Sequence, residues 1–340
     1  VGGMPQGVDE LKKEYFSSEA LLAMNSSMLY AGIAAIDCWK DAGFEVDPEG
    51  KTDWDTGAII GTGIGGVDTL GEKVIPRVNA GKVRRLGSTA VEQTMASAVS
   101  ACVGGLLGLG GQVTSNSSAC TTGTEAVVDA FLQIKEGRAK RMMAGGSEGN
   151  SKYIWGSFDA MRVLSSKYND TPEQASRPMS ASAAGFVPSS GSGVLMLEEL
   201  ESAKARGAKI YAEIIGGHVN CGGQRGGGSI TAPNPEGVVR CVRKSLEVAG
   251  INPTDVDAIN GHLTATMADP IELSNWSKAL ERSGSDFPYV SSTKSMIGHA
   301  LGAAGGIECV ASVLQVHHGF IHGSLNCEDL HPELSGFADK

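Results

Sequence analysis

The sequence has no C-x-x-C pair, and its seven cysteines, at 38, 102, 120, 221, 241, 309 and 327, are scattered over 340 residues. This excludes a zinc ribbon and a thioredoxin-type redox pair. An odd, dispersed set reads as reduced thiols, so a cytoplasmic location is expected. His262 and His299 lack the close spacing of a zinc-binding helix, and no metal centre is expected. Positive charge is also short: 28 Lys and Arg against 38 Asp and Glu leave a formal charge of −10. That argues against non-specific binding to nucleic acid or to an anionic membrane. No secretory signal is visible and no apolar run reaches membrane-spanning length, so no membrane insertion is expected. Residues 96–109, apolar and Gly-rich, read as a buried helix. Aromatics are only 5%, yet 41% of residues are hydrophobic and 47 are Gly, a balance of tight turns and close backbone packing, not of disorder. The length allows one large or two ordinary domains. The chain opens at Val1 and stops at Lys340 just after a polar loop; both ends of a longer natural protein are expected to lie outside it.

What is present centres on Ser115-Asn116-Ser117-Ser118-Ala119-Cys120-Thr121-Thr122-Gly123-Thr124-Glu125, a lone cysteine among small residues just before a helical pattern carried by Val127, Ala130, Phe131 and Ile134. A thiol at the first turn of a helix faces unpaired N–H groups and the positive dipole end, which favour thiolate. Alone, the stretch fits a small buried residue as well as a nucleophile.

Along the chain, 1–19 reads as a surface segment with a charged turn, 18–42 as a helix stopped by Gly43, and 56–62 as a buried strand entering the glycine loop Gly61-Thr62-Gly63-Ile64-Gly65-Gly66. The spacing Gly61, Gly63, Gly66 fits G-x-G-x-x-G and makes a nucleotide site the competing reading. No acidic residue closes a second strand about 20 residues on, as that fold requires. A helix over 91–109, strands over 112–114, 141–144, 194–198 and 209–215, and a helix over 199–206 follow. After the glycine-rich connector 222–228 the rhythm restarts, with helices over 235–250, 270–282 and 302–318 and strands over 256–260 and 289–292. Strands alternating with helices predict an α/β layered fold, and the recurrence of strand, reactive residue, helix in both halves predicts a duplicated architecture. The halves divide at 1–216, carrying Cys120, and 217–340, carrying His262, Lys294 and His299, each expected in a loop at a strand's C-terminal end.

Each histidine alone fits a satisfied loop residue. Together with Cys120 they fit a nucleophile and two imidazoles that donate to a developing oxyanion. The runs Ser118-Ala119-Cys120-Thr121-Thr122, Asn260-Gly261-His262-Leu263-Thr264-Ala265-Thr266 and Lys294-Ser295-Met296-Ile297-Gly298-His299 resemble the three signatures of the β-ketoacyl-acyl carrier protein synthases, condensing enzymes of the thiolase-like α-β-α-β-α fold. Residues 164–170, Gly185-Phe186-Val187 and Lys209-Ile210-Tyr211-Ala212-Glu213 resemble the synthase I/II branch. The resemblance implies that Cys120 accepts an acyl chain from acyl carrier protein. His262 and His299 would then hydrogen-bond the malonyl thioester carbonyl, so that loss of carbon dioxide gives a stabilised enolate. Lys294 and Glu272 match the family's ordering lysine and its acidic partner, and a Lys294–Glu272 contact is expected. Thr264 and Thr266 match the threonines that bind the phosphopantetheine arm of the carrier. No tightly bound cofactor is implied, and a homodimer built across 112–114 is.

Departures from the family pattern are specific. Leu263 and Ala265 replace Gly and Ser of His-Gly-Thr-Ser-Thr, one residue is missing before Asp269, and Leu263 is expected to reshape the pantetheine tunnel. Ser182-Ala183-Ala184 replaces charged residues before Gly185, so the usual anchoring of a neighbouring loop is not expected. The Gly-Phe-Gly-Gly-x-Asn loop, source of the second oxyanion donor beside the Cys120 N–H, does not occur in these residues. Lys82, Arg84, Arg85, Arg138, Lys140 and Arg141 are candidates for docking the acidic carrier. Competing readings are a polyketide or polyene ketosynthase, a non-catalytic chain-length-factor-like partner subunit, and a thiolase, which would need a second cysteine such as Cys309 or Cys327.

Overall fold

In the computed structural model, residues 1–226, 228–229 and 231–337 are described. Gly227 of the connector and the last three residues of the C-terminal half fall outside them.

The larger sheet has the order β2-β1-β3-β4: β1 (Thr56–Gly61) lies parallel to β2 (Val113–Thr114) and β3 (Arg141–Glu148), and β4 (Gly191–Glu198) runs antiparallel to β3. Side chains alternate across it, as a strand period of two demands. Ala58, Ile60, Met143 and Val194 face the helices Ser26–Asp41 and Ala98–Leu107, while Ile59, Met142, Ala144 and Leu197 face the helix Thr122–Lys135. The helix Ala304–His318 joins that second face and reaches onward to the smaller sheet, where Asn260 Nδ2 donates to the Glu308 carbonyl and to Ser312 Oγ. That sheet pairs β5 (Ala258–Asn260) with β6 (Tyr289–Ser291) in parallel. Its far side packs Ile259, Leu273, Leu280 and Phe287, with Val242 and Leu246 from the helix Pro235–Ala249. The layers therefore run helix, sheet, helix, sheet, helix.

Small residues set the central layer. A Cβ on Gly123 would lie 2.3 Å from the Gly306 nitrogen, so the helix behind Cys120 and the helix behind His299 touch through backbone.

Several elements differ from the sequence expectation. The helix expected over 18–42 breaks into Ser18–Leu22 and Ser26–Asp41, because Asn25 leaves the helical region and caps the second helix by accepting from Met28 N at 2.8 Å. Residues 1–19 include a helix, Val8–Tyr15. Of 91–109 only Ala98–Leu107 is α-helical, after short 3-10 turns. Residues 209–215 form no strand: no described segment bonds alongside, and they are held by Tyr211 Oη on Asp41 and by Ile214 in the second core. No single helix among the described residues is long and apolar enough to cross a membrane.

Candidate active site

Cys120 sits in the 3-10 turn Ala119–Thr121 that leads into the helix Thr122–Lys135. His299 follows the short helix Lys294–Ile297 after β6, and His262 follows β5. The fold brings all three together. His299 Nε2 lies 3.0 Å from Cys120 Sγ, the two imidazole rings stand 5.2 Å apart at 84°, and one ligating atom from each of the three residues falls within 4.8 Å of the others.

Three non-glycine residues with positive φ flank these groups: Ala119 (53°), Ala265 (61°) and Leu301 (53°). Such backbone is unfavourable by about 1–3 kcal/mol per residue and persists only where surrounding bonds over-determine it. At Leu301 the reason is visible. Its N–H donates to His299 Nδ1 at 3.2 Å, which leaves the ring proton on Nε2, aimed at Cys120. The Cys-His-His set resembles a metal site in composition. A ligating Nε2 would need its proton on Nδ1, facing another N–H, so His299 is built as a donor and not as a ligand.

Burial comes first in holding both imidazoles well below the ordinary histidine pKa. For His262 Lys294 adds to it, and for His299 His262 and then Lys294 do. His262 remains open at the residue surface, whereas His299 is buried; the direction for His262 follows from the atoms packed around its ring. Neutral imidazoles are thus available as hydrogen-bond donors. Burial also pushes the Cys120 thiol up, opposed by Lys294 and by its own backbone N–H. Burial therefore works against the thiolate that a helix dipole would favour, since Cys120 lies in the 3-10 turn ahead of the α-helix. The Nε2–H of His299 supplies the local help that the dipole does not.

Lys294, 2% exposed, forms a close ion pair with Glu308 of the helix Ala304–His318. The Lys294–Glu272 contact expected from the sequence is not made. Glu272 instead accepts from the backbone N–H of His262 at 2.7 Å and of Leu263 at 2.9 Å, fixing the turn that carries His262. Burial raises its pKa to about 7 against those two bonds and Lys294. Asp269 organises the next turn, accepting from Thr264 N, Ala265 N and Met179 N, and Thr264 Oγ1 and Thr266 Oγ1 lie 3.0 Å apart.

The departures resolve in the same way. Leu263 is fully buried and packs in the third core with Met179, Leu273 and Phe287. The loop before Gly185 has an anchor supplied from elsewhere: Asp329 accepts from Ser182 N at 3.0 Å, from Arg177 Nη2 at 3.1 Å and closely from Ser180 Oγ. Beyond that anchor, Phe186 packs edge-on against His299 at 5.2 Å. Cys309 packs, partly buried, against the second core with its thiol pushed up by desolvation to about 11, and Cys327 packs on the third.

Arg138, Lys140 and Arg141 lie at the wrong end of the sheet for a site mouth. Arg141 starts the eight-residue β3, about 23 Å of strand from the site end, and it is paired with Asp53 and Glu198. Lys82, Arg84 and Arg85 are exposed and make no ion pair among the described residues. The sequence reading missed Glu308 and Glu148. Each is a lone acid in an otherwise small or apolar element, which was the available signal.

The sequence matches the family described as "Beta-ketoacyl synthase, N-terminal domain" over residues 1–203 and "Beta-ketoacyl synthase, C-terminal domain" over 211–328. The chain belongs to the beta-ketoacyl synthase family. It is 38% identical over 322 residues to 3-oxoacyl-[acyl-carrier-protein] synthase 1 of Escherichia coli (strain K12), covering 92% of this chain and 75% of that one. Among solved structures it is similar to a beta-ketoacyl synthase from Burkholderia phymatum STM815 (TM-score 0.85, 29% identity, 94% of this chain and 76% of that one). It is also similar to AntDE:AntF, a type II polyketide acyl carrier protein in complex with its ketosynthase (TM-score 0.80, 29% identity, 93% of this chain and 79% of that one).

Proposed function

We propose that this chain is a decarboxylating β-ketoacyl-acyl carrier protein synthase of fatty-acid synthesis, an acyltransferase. The observation that carries the reading is the Nε2–H of His299 held 3.0 Å from Cys120 Sγ with His262 alongside. The Cys120 sulfur attacks the thioester of an acyl carrier protein, the carrier's thiol leaves with the proton, and the acyl chain stays on sulfur. Malonyl-carrier protein then enters. Its carboxyl C–C bond breaks, carbon dioxide leaves, and the electron pair forms an enolate whose oxygen accepts from His262 and His299. The enolate carbon attacks the acyl-Cys120 carbonyl and expels the thiolate. Lys294 supports negative charge in the pocket, Glu272 holds the His262 turn, and Thr264 and Thr266 receive the phosphopantetheine arm. No tightly bound cofactor is needed.

Residues 1–216 and 217–340 act as nucleophile-bearing and histidine-bearing halves. Lys82, Arg84 and Arg85 are the docking residues for the acidic carrier; the carrier-bound neighbour AntDE:AntF supports a carrier partner. A homodimer across β2, whose outer edge bonds no other strand among the described residues, and a cytoplasmic location complete the reading. The 38% identity to the E. coli 3-oxoacyl-[acyl-carrier-protein] synthase 1 favours the fatty-acid role. The intact Cys120 disfavours a non-catalytic partner subunit, and Cys309 and Cys327, packed against the second and third cores, disfavour a thiolase. Incubation with malonyl-carrier protein tests the site: carbon dioxide release that His262→Ala and His299→Ala each abolish supports it, and release unaffected by either contradicts it.

A further inference from the structure

We propose that Glu148 is a positioning residue for His299, and that the glycine loop 61–66 exists to hold its carboxylate. Glu148 ends β3 with no exposed surface. Its Oε2 accepts from Gly63 N at 2.8 Å and Gly302 N at 3.0 Å, and its Oε1 from Thr62 Oγ1 at 3.1 Å and Ile64 N at 3.3 Å. Thr62 Oγ1 itself accepts from Gly65 N, so its proton is committed to Glu148. All four partners donate and none accepts, which is the complement of an ionised carboxylate. No lysine or arginine pairs with it among the described residues. The loop that resembles a phosphate cradle in sequence therefore holds an anion from within the chain.

The bond to Gly302 gives this cradle its consequence. Leu301 N–H pins His299 Nδ1, and the next amide, Gly302 N–H, is bound by Glu148. Leu301 is held at φ 53° between these two anchors. Release of the second lets the strained turn relax, withdraws the Leu301 N–H from Nδ1 and frees the ring to carry its proton on either nitrogen. Space enforces the same link: a Cβ on Gly63 or on Gly302 would lie 2.6 Å from Glu148 Oε2.

The inference rests on the condensing reading of Cys120 and His299, and its test separates the two. Wild-type chain is assayed first with malonyl-carrier protein. If it releases no carbon dioxide, the condensing reading fails, whatever Glu148 does. Given wild-type activity, Glu148→Gln should lower kcat by about 100-fold, with KM changed less than about threefold. In 15N-correlated NMR the His299 ring should lose its pure Nε2–H pattern. A kcat within about threefold of wild type, or a loss of kcat with the Nε2–H pattern intact, overturns the proposal. Gly63→Ala, whose methyl group displaces Oε2, should reproduce both changes. If neither variant folds, Glu148 is a structural residue only and the proposal fails.

Discussion

The two histidines are neighbours with opposite support. His299 is held by its side chain: Leu301 N–H on Nδ1, Phe186 in a T-shaped contact with its ring, Cys120 at Nε2. His262 is held through its backbone, by Glu272 on the His262 and Leu263 amides, and the residue keeps some surface exposed. The difference assigns labour. His299 serves both sulfur and substrate with a fixed proton, whereas His262 is left to meet the incoming thioester. The same contrast separates the acidic side chains, since Glu308 is matched by a cation, Glu272 by amides, and Glu148 by amides and the Thr62 hydroxyl.

Breaking the nucleophile should have the largest effect. Cys120→Gln removes condensation altogether while leaving malonyl decarboxylation intact, measured as carbon dioxide release; loss of release would detach the histidines from that step. Next, His262→Ala and His299→Ala should each lower decarboxylation by roughly 10²–10³-fold, but only His299→Ala should slow alkylation of Cys120 by a small electrophile. Equal alkylation rates in the two variants would erase the contrast. Lys294→Ala strands the Glu308 carboxylate in the interior and should destabilise the fold by about 3–5 kcal/mol in denaturant titration, with partial recovery in Lys294→Ala/Glu308→Gln. Leu263→Ala should cost about 2–5 kcal/mol and leave catalysis unchanged, as befits a core side chain; a changed KM for the carrier substrate would return it to the tunnel.

The smallest effect belongs to Asp329. Its bonds to Ser180, Ser182 and Arg177 hold its carboxyl well below the ordinary aspartate range. The folded pKa is depressed, so this stabilisation is fully present above about pH 4 and is lost as pH falls below it. The Tm difference between wild type and Asp329→Asn should accordingly shrink to nothing under acid; a difference independent of pH would remove the tether.

The layered fold and the convergence of Cys120, His262, His299 and Lys294 were readable because strand and helix periods and three ordered motifs are local signals. What escaped depended on tertiary context. Residues 209–215 have a strand's composition without a ladder partner. Leu263 occupies a motif position, yet its side chain turns into the core. Lys294 chose Glu308, one turn into the next helix, over the motif's Glu272, and Asp329 anchors a loop about 150 residues earlier in sequence. The burial that pushes the Cys120 thiol up also escaped, since it depends on what packs around a turn two residues ahead of the helix.

The most direct measurement is the mass of the chain, and of its proteolytic peptides, after incubation with an acyl-carrier protein. The account predicts one acyl group on the peptide containing Cys120 and none on Cys120→Ala. Acylation of Cys120→Ala, or an adduct on another cysteine, would contradict it.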